Sequence, residues 1–547
     1  MTQKITAPYG SWNSPITAER IVSESIGLTP LSVTRTAVYW LETRPSERGR
    51  AVIVKRMPDG TTIDMNPPPY NARSRVHEYG GGAVLIDEDT VYFSNFSDQR
   101  IYRVDTGCDP EPVTPEAELR YADGIMDKPR QRIICVREDH RPTTISRHHG
   151  EAVNEIVALS LNGSGDQQIL VSGNDFYAAP RINPQGTQLA WLTWSHPNMP
   201  WDGTELWKAD IQDDGQLTNR QLVAGSAYES IFQPEWSPDG YLTFISDRTG
   251  WWNIYRISGD KQQSQICLTP RNMEYGLPQW VFGMSTYAYV SETQLVCISS
   301  QHGLNKLETV NVKNITSETI NLPYSSLSSI SAMGKTLLFR GAAANTPGTV
   351  ILYNLSTHTF EQIKSSHTIK IDEAYISIPG PITYPTENNL NAHGLYYPPK
   401  NAAYIAPTGE LPPLLVISHG GPTGATSSAL DLRIQYWTSR GFAVLDVNYG
   451  GSTGYGRAYR ERLRGQWGVI DVDDCVNGAL FLASKGLVDD SRLAVRGGSA
   501  GGYTTLSALA FRNVFQAGAS YYGVSDLEAL AMDTHKLESR YLDSLIG

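Results

Sequence analysis

The stretch Gly497-Gly498-Ser499-Ala500-Gly501 sets a serine among glycines, with the apolar run Leu493-Ala494-Val495 before it and a helix-forming segment, Thr504 to Arg512, after it. Gly-x-Ser-x-Gly between a buried strand and a helix presents a hydroxyl for nucleophilic attack on a carbonyl. The strand must turn sharply into the helix, so neighbouring backbone comes very close. Glycine at 497 and 501 removes the Cβ that would clash, and the serine itself is held in a strained conformation. The new helix aims its free N–H groups and positive dipole end at the surroundings of the hydroxyl. Ser499 is therefore the candidate nucleophile, with a plain strand–helix turn as the other reading.

Acyl transfer also needs donors for the oxyanion. One is the backbone N–H of the residue after the nucleophile, Ala500, and the other comes from an early strand–helix loop. His419-Gly420-Gly421-Pro422, at the end of the strand predicted over Leu414–Ser418, is the candidate loop, because glycine lets backbone approach the tetrahedral intermediate. A tight loop without ligand is the alternative. His419 is not cast as the base, since in this chain order the base follows the nucleophile.

Two kinds of pattern surround these residues. From about residue 371 strands and helices alternate. Ile376–Pro381 and Leu395–Pro399 read as proline-broken strands of an edge hairpin at a domain boundary. The strand Leu414–Ser418, a helix over Ser427–Arg440 stopped by Gly441, the strand Phe442–Val447, a helix over Val472–Lys485, the elbow and the strand Ala517–Tyr521 follow. Such alternation implies a mostly parallel sheet covered by helices on both faces. Before it, short runs recur every roughly 50 residues, a spacing of propeller blades. They are Val38–Trp40, Val91–Phe93, Ile133–Cys135, Leu189–Trp191, Leu242–Phe244, Tyr287–Tyr289 and Leu337–Phe339, each followed by a further strand. The expectation is a seven-bladed β-propeller over residues 1–372, including a short N-terminal segment, and an α/β domain over 373–547.

With 40% hydrophobic and 18% charged residues, the 547-residue chain has the composition of a soluble globular protein of more than one domain. A net charge of −11 argues against a nucleic-acid partner. No run approaches membrane-spanning length, and the N-terminus lacks the apolar core of a secretory signal. The five scattered cysteines have no metal-ligand spacing and fit a reduced, cytoplasmic setting. Oligomeric state is left open, a homo-oligomer being possible on this sequence.

Gly497–Tyr503, His419–Pro422, Asn448–Gly456 and Trp467–Asp471, together with His196–Leu206 and Ser246–Arg248 in the repeats, resemble the prolyl oligopeptidase family of serine peptidases, in particular its acylaminoacyl-peptidase and dipeptidyl-aminopeptidase-like branch. The resemblance covers nearly the whole chain. It implies a β-propeller joined to an α/β-hydrolase domain that cleaves short peptides, with Ser499 as nucleophile and the N–H groups of Gly421 and Ala500 holding the oxyanion. In such enzymes the triad runs Ser…Asp…His along the chain. After Ser499 there is room for one helix, one strand and the segment 523–547. His535, the sole downstream histidine, lies in a segment resembling an internal part of the family's domain rather than its base. The triad Asp and His are thus expected to be absent, the hydrolase domain incomplete with its last strands missing, and the chain a C-terminally truncated peptidase, inactive or nearly so. Its sheet would carry an unpaired edge and uncovered apolar faces.

No metal or organic cofactor is implied, because triad chemistry needs none. Gly80-Gly81-Gly82 reads as a blade turn rather than a phosphate loop, and Gly451–Gly456 as a loop near the substrate cavity. His140, His148 and His149 read as a solvated inter-strand loop. Glu138 and Asp139 could meet a substrate amine but read as a solvated blade loop, and Asp471, Asp473 and Asp474 as helix N-terminal acids. Two other functions share these features: an esterase on the same elbow, or a non-catalytic propeller binding protein with a vestigial hydrolase domain.

Overall fold

The computed structural model describes residues 4–546 apart from 24, 149, 164, 259–263 and 369. Seven four-stranded antiparallel sheets, each a contiguous stretch of chain, form a β-propeller. The first begins with Gly27–Val33 and ends with Thr62–Asp64, and the last runs from Ser326–Met333 to Thr359–Ser365. Second strands carry the buried bulk of the blades, with Trp40, Phe93, Trp191, Phe244 and Phe339 all in the core. Among the described residues no strand is shared between the first and last blades. Leu28, Val38 and Trp40 of the first pack on Leu338 and Val350 of the last, and Arg56 pairs with Glu361 at 2.6 Å.

One repeat is phased differently from the sequence reading. In six blades the apolar run is the second strand, but Tyr287–Tyr289 belongs to the first strand, Tyr287–Ser291, of the sixth. The second is Gln294–Gln301, with Leu295, Val296 and Cys297 buried. Tyr287 mimics a second-strand aromatic because its hydroxyl reaches into the preceding blade, donating to the carbonyls of Gln233 (2.9 Å) and Thr243 (3.0 Å).

Beyond the blades lies a six-stranded mixed sheet: β1 (Gly380–Pro385), β2 (Asn391–Tyr397), β3 (Leu414–Ser418), β4 (Ala443–Asn448), β5 (Leu493–Gly498) and β6 (Ala517–Tyr521), in the order β1-β2-β4-β3-β5-β6. The pairs β4/β3, β3/β5 and β5/β6 are parallel, and the β1–β2 hairpin adds antiparallel strands at one margin. Residues 376–379, expected in that hairpin, lie outside it, and the edge strand starts at Gly380 with prolines at 381 and 385. The helices of six residues or more in this part are α1 (Leu432–Thr438), α2 (Ile470–Ser484), α3 (Ala500–Phe511), α4 (Leu527–Asp533) and α5 (Tyr541–Ile546). Helix α1 is shorter than its apolar pattern suggests because residues 427–430 are drawn to the last blade. Ser428 Oγ lies 2.9 Å from Ser325 Oγ, and Leu430 N donates to Ala343 O at 2.8 Å. Asp431 then caps the helix through the Arg433 amide.

The N-terminal segment, grouped with the propeller in the sequence reading, lies on the α/β part. Ile5–Thr6 pairs in parallel with Tyr404–Ile405, Gly10 N donates to Arg440 O, and Arg440 donates to Ile16 O. Trp12 is buried there beside Gly441, where a side chain would find no room. Among the described residues no helix is long and apolar enough to cross a membrane.

Candidate active site

Ser499 stands between β5 and α3 with φ 54° and ψ −123°, a left-handed conformation rare for a residue with a Cβ. Its side chain is exposed. The flanking glycines are required by contact: a Cβ on Gly497 would sit 2.5 Å from Ser418 Oγ, and one on Gly501 2.7 Å from the His419 carbonyl oxygen. Ser418, at the end of β3, donates to Gly501 O at 2.8 Å and so ties the central strand to the first turn of α3. On the other side the Ser499 amide donates to Tyr521 O of β6 at 3.1 Å.

The loop after β3 lies against this corner. A Cβ on Gly420 would fall 3.5 Å from the Ser499 Cβ, and Gly421 has φ +125°, a value that favours glycine. Gly421, Ser499 and Ala500 line one cavity of about 570 Å³. The amides of Gly421 and Ala500 donate no hydrogen bond to other described residues, which leaves them available to a ligand oxygen. His419 Nδ1 donates to Gly420 O (2.9 Å), Nε2 accepts from Ser452 Oγ (2.7 Å), and the ring stacks on Tyr449 at 4.3 Å. Burial pushes this imidazole down to about 4, so it is neutral at ordinary pH and serves to hold the loop. His535 is turned elsewhere, packing edge-on against Tyr79 at 5.2 Å with Nε2 3.5 Å from Glu538.

Residues 451–456 lie near the Ser499 cavity as expected, one layer behind its lining, with Thr453 N donating to Gly424 O at 2.8 Å. Ser452 supports His419 from behind, while the Gly456 amide donates to Glu274 Oε1 in the propeller at 3.0 Å. Other secondary expectations are corrected. Glu138 and Asp139 lie buried at the end of strand Arg132–Asp139. Glu138 pairs with His140 at 2.9 Å and Asp139 with Arg141 at 2.5 Å, so neither is a solvated loop residue. His148 is exposed, and His149 lies outside the described residues. Asp471 and Asp474 are buried pins rather than simple dipole partners. Asp471 accepts from Gly468 N and Thr504 Oγ1, and burial pushes it up to about 6; Asp474 accepts from Gly450 N and Thr386 Oγ1. Gly80–Gly82 is the connection into the second blade, pressed backbone to backbone on Phe282.

That connection delivers a residue the sequence did not single out. Tyr79 and Trp280 bring the propeller into the cavity, facing Trp467, Glu538 and Leu542 of the α/β part. Trp280 Nε1 donates to Thr423 O at 2.6 Å, and Tyr541 OH is 2.6 Å from Thr423 Oγ1, so the loop carrying Gly421 is braced from both domains. A second junction is ionic: Asp247, in the Ser246–Arg248 segment, receives Arg457 (2.8 Å) and Arg460 (2.7 Å), all but Arg457 wholly buried. The Arg460 guanidinium also lies 4.3 Å from the Trp252 ring centroid. Glu151, Asp175 and His196 bring potential ligand atoms within 4.8 Å of one another, but Lys536 already supplies a positive charge 3.7 Å from Asp175.

The fold is shared with known proteins. The family model described as "Prolyl oligopeptidase family" matches residues 428–547. A solved Mycobacterium tuberculosis puromycin-hydrolyzing peptidase superposes with a TM-score of 0.94 at 40% identity, covering 100% of this chain and 84% of that one. The chain belongs to the prolyl oligopeptidase family. A puromycin hydrolase structure is similar to it at 37% identity and TM-score 0.93, covering 99% of this chain and 84% of that one. Dipeptidyl aminopeptidase BIII of Pseudoxanthomonas mexicana is 29% identical over 199 residues, 36% of this chain and 29% of that relative's length. Family membership makes this a serine-type peptidase built from a seven-bladed propeller and an α/β-hydrolase domain.

Proposed function

We propose a serine peptidase of short peptides that works by acyl-enzyme chemistry at Ser499, with the Gly421 and Ala500 amides stabilising the tetrahedral oxyanion, residues 1–547 by themselves being inactive or nearly so. One observation carries this reading: a left-handed, exposed serine shares a cavity with two amides that donate to no other described group. The 37–40% identical structures are described as acting on puromycin, itself an aminoacyl amide, which supports amide substrates. Tyr79 and Trp280 of the blades line the cavity, which supports a propeller that limits entry to short peptides.

The hydroxyl needs a base to attack at neutral pH. Among the described residues no histidine or carboxylate hydrogen-bonds to it, His419 and His535 being engaged elsewhere. Residues 1–547 by themselves are therefore expected to hydrolyse an aminoacyl p-nitroanilide no more than about 10³–10⁴-fold above water. Turnover at ordinary enzyme rates would show that a base is present. The nucleophile is checked separately with a fluorophosphonate: an adduct mapped by mass spectrometry to Ser499 supports it, and brisk turnover surviving Ser499→Ala overturns it.

A further inference from the structure

A second cavity, of about 400 Å³, lies where the sixth blade meets the β1–β2 hairpin, and it shares no lining residue with the cavity over Ser499. The propeller supplies His302 and Lys306, just after strand Gln294–Gln301, and the α/β part supplies His393 of β2 and Tyr455. Met273 and Ile382 add apolar wall. No aspartate or glutamate is among the described residues lining it, although the chain as a whole carries a net −11. The Lys306 ammonium is exposed and makes no hydrogen bond or ion pair with any described residue. The Tyr455 hydroxyl has a proton to give. Asn448 Oδ1 accepts from the Thr426 amide at 2.8 Å, which turns Nδ2 to donate to the Tyr455 oxygen at 3.1 Å. The phenolic hydrogen is left without a described acceptor, and burial, pushing the group up to about 12, keeps it in place at ordinary pH. Gly303, with φ +77°, seats the blade turn against this hydroxyl, since a Cβ there would stand 3.8 Å from it. His393 stacks on Tyr455 at 4.3 Å and lies 6.4 Å from His302, ring centroid to ring centroid. Burial, with His302 and Arg462 adding to it, pushes His393 down to about 4, so its ring is neutral at ordinary pH. Two imidazoles could also face a metal ion, but the charges of Lys306 and Arg462 oppose a cation there.

We propose that this cavity binds a small organic phosphate, with its dianionic head on Lys306, His302 and the Tyr455 hydroxyl and its body against Met273 and Ile382. A phosphate monoester carries about −1.5 to −2 charge at neutral pH and three acceptor oxygens. That suits one ammonium joined by neutral donors arriving from two domains, whereas a carboxylate brings a single charge and fewer acceptors. The occupant is shared between the propeller and the α/β part, so it clasps the two outside the Ser499 cavity. The assignment does not depend on the chemistry of Ser499.

Calorimetric titration of the intact chain with phenyl phosphate, inorganic phosphate, benzoate and phenol tests it. Phenyl phosphate is expected to saturate a single site and to bind at least about tenfold more tightly than benzoate or phenol, the scale of one charge-assisted hydrogen bond. It should also exceed inorganic phosphate, which has no ring for the apolar wall. Lys306→Gln should weaken phenyl phosphate at least about tenfold, and Tyr455→Phe should weaken it by less. Ser499→Ala should leave it unchanged. Absence of saturable binding overturns the proposal, as does benzoate or phenol binding as tightly as phenyl phosphate. An affinity unaltered in Lys306→Gln, or lost in Ser499→Ala, overturns the site, and inorganic phosphate matching phenyl phosphate overturns the organic body.

Discussion

The α/β sheet meets its surroundings differently on its two flanks. On the β2–β4 side it is closed: the edge strand β1 carries Pro381 and Pro385, Tyr384 is buried with its hydroxyl on Asp474 O, and the segment after β4 docks on the propeller through buried Asp247 and Arg460. At the other flank every residue of β6 is exposed, and Phe511, Tyr521, Tyr522 and Met532 show much of their surface. Ser499 hangs between these flanks. Its loop partners and Ser418 come from the closed side, whereas its own amide bonds to Tyr521 on the open one. A reactive corner needs both supports, so its geometry is only as firm as the less covered strand.

The contrast can be broken hardest at the closed side. Asp247→Ala leaves the buried Arg460 guanidinium without its counter-charge and is expected to cost about 3–5 kcal/mol in urea unfolding. A loss below about 1 kcal/mol would mean that this junction is looser than its burial implies.

A pH effect of intermediate size also belongs to the closed side. Asp446 on β4 faces the cavity behind Ser499, and burial pushes its carboxyl up to about 7 despite the hydrogen bond from Thr426. The unfolded carboxyl titrates near 3.9, so the folded state binds the extra proton between those values. The contribution of this group to stability is therefore present in full below about pH 4 and falls as pH rises toward 7. Asp446→Asn should flatten that slope and stabilise the protein at pH 8 relative to the parent, as read by urea midpoints at pH 5 and 8. An unchanged slope would place the titration elsewhere.

The smallest effect tests the exposed edge itself. Ala519→Lys on β6 is expected to change stability by less than about 0.5 kcal/mol but to reduce self-association in sedimentation velocity, because a charge on an open edge opposes strand pairing. Equal association of both forms would show that the edge is not a sticking surface.

How far the sequence could be read follows the range of the contacts involved. The elbow was legible because local backbone crowding dictates glycine at 497 and 501, whatever the rest of the chain does. The blades were legible from their buried second strands, and the slip in the sixth arose where Tyr287 satisfied its hydroxyl in a neighbouring blade. Tyr79 and Glu538 were not legible: they touch across 459 positions, and neither residue type is unusual where it stands. Gly80-Gly81-Gly82 after Tyr79 was a local hint of close backbone approach there. Asp471 and Asp474 looked like dipole partners because helix position is local, while the loops they pin are not.

The pairing of Ile5–Thr6 with Tyr404–Ile405, reinforced by Lys4 Nζ on Asn401 O at 2.8 Å, makes the propeller an excursion that leaves and re-enters the same body. A protease that nicks one exposed blade turn would thus produce two fragments that stay clasped, migrating as one particle under native conditions and parting only in denaturant.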